Sequence, residues 1–377
     1  MRYPSKNKPI KLLVMMFLIV LAVCILVAGA IYYVDPFFHY HAPLSDFPYV
    51  VDNQLTQNPG MAEHMEYDSV ILGSSMTVNF ETDWFSELMD LNTLKLSYSS
   101  AYPKDISNIL EKIYEPYDDG REKNIKAVFL GLDIVTYSGD VNETKYPLPE
   151  YLYDDNPIND INYLLNKDVL LNYVLRPLAD PEPTNLSHVY ASWWTDDYYN
   201  EDWVLSNHEV PETREVPLSS NAFDDGIRKN LDANIIPYIE AHPETEYYIF
   251  FPPYSILFWD DVLRDNRYEA TLSAYNTVCE ALLKYDNVRM FFFPDKEDTV
   301  TDLNNYADYT HYHPSVNRFM AECFVSGEYE ILRDGTSGKD SGSNTRGTVN
   351  DHLQNMRDIV NRYDFNELDE KLEKWRN

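Results

Sequence analysis

Cysteine is scarce in this chain of 377 residues: there are three, Cys24, Cys279 and Cys323. Cys24 falls in an apolar run and the other two in helix-like runs. That excludes a disulfide scaffold and makes small buried side chains the expectation for the outer pair. Basic residues are few as well. Against 62 Asp and Glu stand 30 Lys and Arg, a formal net charge of −32. Such an acidic balance rules out nucleic acid as a partner and disfavours unassisted binding of polyanions, whereas neutral glycans and cations are easier to accommodate. Internal repeats are absent, and there is a single long hydrophobic run. Aromatics are not short, with 31 Tyr and 6 Trp, which suits a packed protein.

The single long run covers residues 12–34 and carries no charge. It is long enough for the roughly 30 Å hydrocarbon core of a bilayer. Arg2, Lys6, Lys8 and Lys11 lie in the preceding tail, residues 1–11, and acidic sequence follows. The positive-inside rule then predicts a cytoplasmic N-terminus and an extracytoplasmic remainder on a single-pass membrane protein. A cleaved signal peptide is the rival reading. Its apolar core should be shorter, and Tyr32-Tyr33 after the small residues Gly29-Ala30 suit an interfacial anchor, so a retained helix is preferred. The juxtamembrane stretch 35–65 follows; His39 and His41 there carry no assignment.

From 66 to 334 strand-like and helix-like segments alternate. Strands are expected near Asp68–Leu72, Leu94–Tyr98, Ala127–Leu130, Tyr247–Phe251 and Val288–Phe293, because short continuous apolar runs suit strands covered on both faces. Helical spacing is found at 105–114, 221–241 and 269–285. The expected fold is α/β: a three-layer α/β/α sandwich around a parallel sheet. Residues 147–217, rich in Tyr, Trp, Asn, Asp and Pro, read as an aromatic insertion or cap. Residues 335–350 read as a flexible linker, and 351–377 as one or two helices with Leu353, Met356, Ile359 and Val360 on an apolar face. That face either packs back on the domain or meets a partner.

Ligands of open parallel sheets bind beyond the carboxyl ends of the strands. The first strand ends at Gly73-Ser74-Ser75, the second at Ser99-Ser100, the third at Gly131-Leu132-Asp133, and the fourth at Pro253-Tyr254-Ser255. Ser75 is the candidate nucleophile, since a glycine at a strand end allows the sharp turn that presents a serine. An isolated Gly-Ser-Ser is ordinarily a helix cap. Asp308-Tyr309-Thr310-His311 offers the complement: Asp308 to hold the Nδ1 proton, His311 to take the serine proton through Nε2. Pro314 predicts a helix starting just after. His311 with His313 could be read as a metal pair, but no third ligand is apparent, so neither metal nor cofactor is expected.

Gly73-Ser74-Ser75-Met76 after the first strand, with Asp308-Tyr309-Thr310-His311 late in the chain, resembles the SGNH (GDSL-like) hydrolase superfamily. The resemblance covers about residues 66–330 without the aromatic insertion. It implies Ser75 as nucleophile, His311 as base and Asp308 as acid. Two departures stand out. Ser74 replaces the usual Asp, and Asp133 occupies the place of an oxyanion-binding Asn. A carboxylate cannot donate a hydrogen bond unless protonated, which leaves backbone N–H groups at Ser75 and near Ser100 for the oxyanion. Ser100, Asp133 and Tyr254 are the oxyanion or substrate candidates, with Trp193, Trp194 and Trp203 offering stacking surface for sugar rings or packing for a lid.

Within the superfamily the resemblance is to membrane-anchored members that modify surface polymers, among them lipoteichoic-acid D-alanyl transfer proteins and polysaccharide O-acetyltransferases. It implies an esterase or acyltransferase acting on a cell-surface glycan or wall polymer, with a membrane-bound O-acyltransferase as partner. The alternative is a non-catalytic binding or assembly protein on the same scaffold.

Overall fold

Five runs rich in Val, Ile, Leu and Phe pair as parallel strands. They are β1 Ser69–Leu72, β2 Thr93–Lys95, β3 Ala127–Gly131, β4 Glu246–Phe251 and β5 Val288–Phe292, in the order β2-β1-β3-β4-β5. The registers Ile71 with Phe129, Phe129 with Tyr248 and Tyr248 with Arg289 align one row across β1, β3, β4 and β5. The computed structural model describes residues 8–117, 120–154, 156–192, 194–333 and 345–376. Most of the expected linker, and Trp193, lie outside the described residues.

Side chains alternate across a strand, so each run feeds two helical layers. On one face Phe129, Tyr248, Phe250 and Phe291 gather around Phe324 of the helix Pro314–Ser326, and Phe85 of the helix Thr82–Met89 packs on Phe129. On the other, Phe251 and Phe292 meet Tyr275 of the helix Tyr268–Leu282, and Phe292 also meets His352 of the helix Val349–Arg362. The result is an α/β/α arrangement, with strands buried on both sides as continuous apolar runs require.

Two details differ from the sequence reading. Residues 221–241 form two helices, Asp224–Asn234 and Ile236–Ala241, because Pro237 cannot continue the first one's hydrogen bonding. The regular part of β2 stops at Lys95, although Leu96 and Tyr98 still donate to Ile71 and Gly73. The C-terminal segment forms the helices Val349–Arg362 and Phe365–Arg376. Met356, Ile359 and Val360 are buried, and the first of these helices packs on Tyr268–Leu282. Cys279 and Cys323 are buried free thiols.

The chain divides into two units. One comprises Glu66–Pro147 and Leu186–Asn377 and contains the sheet; the other comprises Met1–Met65 and Leu148–Asn185. The aromatic-rich stretch 147–217 is thus shared between them. In the second unit a 27-residue helix, Lys8–Val34, is long and apolar enough to cross a membrane. Its end is tied off by Asp35, in the left-handed region at φ 46°. The Asp35 carboxylate accepts from the backbone N–H of His39, Tyr40 and His41 and from the Tyr163 hydroxyl, which in turn accepts from Phe37 N–H. Gly60, in the helix Gln54–His64, lies under this turn, where a Cβ would stand 2.3 Å from the Phe37 carbonyl oxygen.

Candidate active site

The strand order reverses direction between β1 and β3, and such a switch point opens a crevice at the carboxyl edge of the sheet. Gly73 and Gly131 end these two neighbouring strands. A Cβ at either would lie 2.7 Å from the Thr77 methyl, and Gly73 sits at φ 141°, so the tight approach of the two strand ends depends on both glycines. Beyond Gly73 the chain turns into a short 3₁₀ segment, Ser75–Thr77. Ser74 caps it by accepting from Met76 N–H. The cap expected of a Gly-Ser-Ser turn is therefore present, but on Ser74, which leaves the Ser75 hydroxyl available.

That hydroxyl lies 2.7 Å from His311 Nε2, and His311 Nδ1 lies 2.7 Å from Asp308 Oδ2. Asp308 Oδ1 accepts from the backbone N–H of Thr310 and His311 at 2.8 and 2.7 Å. Burial pushes the Asp308 carboxyl up, but the His311 imidazole and these backbone donors outweigh it and hold it down at about 2. Asp308 is therefore ionised at any ordinary pH and can only accept. The shared proton must sit on Nδ1, so a neutral imidazole offers Nε2 as acceptor to the serine O–H.

The loop carrying this pair is braced from several sides. His313 N–H donates to Asn305, Ala307 N–H to His311 O, Tyr306 O–H to Pro253 O, and Ser255 donates to Tyr309 O through both its N–H and its hydroxyl. His313 is turned away from His311: it caps the helix Pro314–Ser326 and reaches Asp196. Among the described residues no group of three or more His, Cys, Asp or Glu could hold a metal ion.

Other candidates fall around the same edge. The Asp133 carboxyl, just after β3, accepts from the Tyr254 hydroxyl and is hydrogen-bonded by Ser74. Burial raises its pKa, while Ser74, Tyr254 and the nearby His311 pull the other way without cancelling the rise. Tyr254 is itself buried, with its proton committed to Asp133. Ser100 is exposed at φ 60° in the turn after β2, which the Tyr98 N–H to Gly73 O bond sets beside the serine turn. The Trp194 ring lies 5.1 Å from the His311 ring, and Trp203 packs edge-on to Tyr198.

Sequence reasoning missed the residues that hold the serine turn. Tyr312 O–H and the Asn317 side-chain amide both donate to Met76 O at 2.9 and 3.1 Å. Thr77 Oγ1 bridges Ser74 O and Ser97 Oγ. Lys95, fully buried, donates to the carbonyls of Val78 and Phe80 at 2.8 Å each. The only signal among these was the lone lysine in the apolar run Leu94-Lys95-Leu96.

No protein-family model matches the chain, and no curated protein matches it. It is similar to a solved structure from Streptococcus pneumonia described as a "putative platelet activating factor". The identity is 11% over 73% of this chain and 89% of that one, with a TM-score of 0.36. A likeness so slight has no bearing on what the site does.

Proposed function

We propose that the protein is a membrane-anchored serine esterase or acyltransferase of SGNH type, acting on an acylated surface glycan or wall polymer outside the cell. The observation that carries this reading is the Ser75–His311–Asp308 relay, with two contacts of 2.7 Å at the switch point of the sheet. A serine becomes a competent nucleophile when a base within hydrogen-bond reach takes its proton, and the base works when a third group fixes its tautomer. In this reading Ser75 Oγ attacks an ester carbonyl and its proton passes to His311 Nε2. Collapse of the tetrahedral intermediate expels the alcohol, which takes that proton and leaves an acyl-Ser75. Water or a sugar hydroxyl then attacks the acyl group, with His311 again as base.

Asp133 already accepts from two hydroxyls, so the oxyanion falls to backbone N–H groups of the Ser75 and Ser100 turns. Trp194, beside His311, suits a sugar ring stacked at the entrance. The net charge of −32 favours a neutral glycan over a polyanion. A membrane-bound O-acyltransferase would supply the acyl group at the same membrane face.

The test is labelling of the full-length protein by a fluorophosphonate probe. Labelling should be robust and should vanish in Ser75→Ala. A folded protein that fails to label, or labels equally without Ser75, would leave the binding or assembly role on the same scaffold.

A further inference from the structure

The unit that holds the anchor helix has an apolar surface with no role in the site above. Along the helix Lys8–Val34, the side chains from Ile10 to Val23 are all exposed, as a lipid-facing helix should be. From Cys24 onward one stripe changes. Cys24, Val27 and Ala28 are half-buried, and Ile31 and Val34 are buried. These positions recur every three or four residues, which marks one face of a helix. The elements packed on the helix are Ile161–Leu164 and the π-helical turn Val169–Leu175, which runs on into the helix Arg176–Ala179.

The covered stripe from Cys24 to Val34 is about 15 Å long at 1.5 Å per residue. That is roughly half the hydrocarbon core of a bilayer. The covering elements therefore stand beside the distal half of a helix that needs lipid around it. Their inner face is closed by Tyr163, Val169, Val174 and Pro177, all buried. Their outer face is open and carries large apolar side chains, Ile158 82% exposed, Ile161 58%, Leu171 52%, Leu175 47% and Leu178 60%, with the exposed polar residues Asn162, Asp168 and Asn172 between them. Leu171, Leu175 and Leu178 are spaced as i, i+4 and i+7, one continuous stripe. Lys167 and Arg176 are also exposed on this segment and have stems long enough to carry their charges to phosphate level. The run Val169–Ala179 is too short to span a bilayer, and its apolar stripe, with Arg176 within it and Lys167 just before it, suits the interface instead.

We propose that residues 158–179 form a partial collar embedded in the distal leaflet against one face of the anchor helix, with Ile158, Ile161, Leu171, Leu175 and Leu178 in contact with acyl chains. Lipid is the occupant because the patch continues the lipid-facing surface of the helix it packs against. This rests on the helix spanning the membrane, and the test separates the two claims.

The experiment uses the full chain in phosphatidylcholine–phosphatidylglycerol vesicles, in a Cys24→Ala background. A nitroxide is placed singly at Leu171, Leu175 or Leu178, at Ile19 on the anchor, or at Asp232 in water. Collisions with oxygen and with a polar nickel chelate are measured. At the three collar sites the chelate should be at least ~10-fold less accessible than at Asp232, with oxygen access near that of Ile19, as expected from the cost of taking a polar solute into hydrocarbon. Chelate access equal to that at Asp232 overturns the collar. So does dipolar broadening between labels, which would put a second copy on the patch. Chelate access at Ile19 would refute the anchor instead. Photo-crosslinking from benzoylphenylalanine at Leu178 provides a second reading: adducts to lipid support the collar, and adducts to protein overturn it.

Discussion

Under the proposed function, replacing Asp308 by Asn isolates what the acid does for the base. Asp308 Oδ2 faces His311 Nδ1, while Oδ1 holds the backbone N–H of Thr310 and His311. The backbone donors fix how the asparagine amide must lie. Its oxygen takes the Oδ1 place, so its NH₂ faces Nδ1. An amide NH₂ only donates, so Nδ1 must become the acceptor and the ring proton moves to Nε2, pointing at Ser75 Oγ. The base is then lost without disturbing the fold.

Two magnitudes can be compared. If Asp308 merely stabilised the imidazolium through one charge-assisted hydrogen bond, its loss would cost about 1.5–3 kcal/mol, or roughly 10- to 150-fold in rate. A wrong tautomer removes the base altogether and costs on the order of 10⁴-fold in serine triads, about 5.4 kcal/mol. The structure predicts the larger loss in the rate of fluorophosphonate labelling, and in burst-phase acylation by an activated acetate ester. Labelling of a folded Asp308→Asn protein within tenfold of the parent would refute the reasoning.

Other outcomes follow from the same contacts. Gly73→Ala should destabilise by about 2–4 kcal/mol in urea titrations, because it adds a left-handed strain to a Cβ 2.7 Å from Thr77; an unchanged midpoint would remove the steric argument. Lys95→Met should lower stability at neutral pH by about 1–3 kcal/mol, since two buried carbonyls lose their donor. Burial also lowers the Lys95 pKa from 10.5 to about 7. The unfolded chain then binds a proton across that window while the fold does not, so the lysine-bearing protein gains stability as pH rises from about 7 towards 10.5. Its margin over Lys95→Met should widen over that range, and a flat margin would refute the assignment.

Local pattern was enough for much of the scaffold. The five apolar runs, the helix starting at Pro314 and the long charge-free run are all written in neighbouring residues, since strand and helix periodicities and proline's fixed φ act over short distances. Helical periodicity runs unbroken through 221–241, yet the helix breaks there at Pro237, because a proline lacks the N–H that would continue the hydrogen bonding. Residue types in the site were legible too, because Gly-Ser-Ser and Asp-x-x-His are each short.

Tertiary structure alone decided the rest. Ser75 and His311 are 236 positions apart, and only the parallel stacking of β1 to β5 with the braced loop 305–313 brings them to 2.7 Å. Asp133 meets Tyr254 from 121 positions away, and that burial raises its carboxyl above the usual range. Lys95 looks like an odd lysine in a strand until the carbonyls of Val78 and Phe80 fold over it. The segment Leu148–Asn185 reads as part of an aromatic insertion, yet it folds with the long apolar helix Lys8–Val34. Hydrogen-bond partners, local dielectric and packing neighbours depend on which distant segments converge, and nothing in a residue's own neighbourhood encodes them.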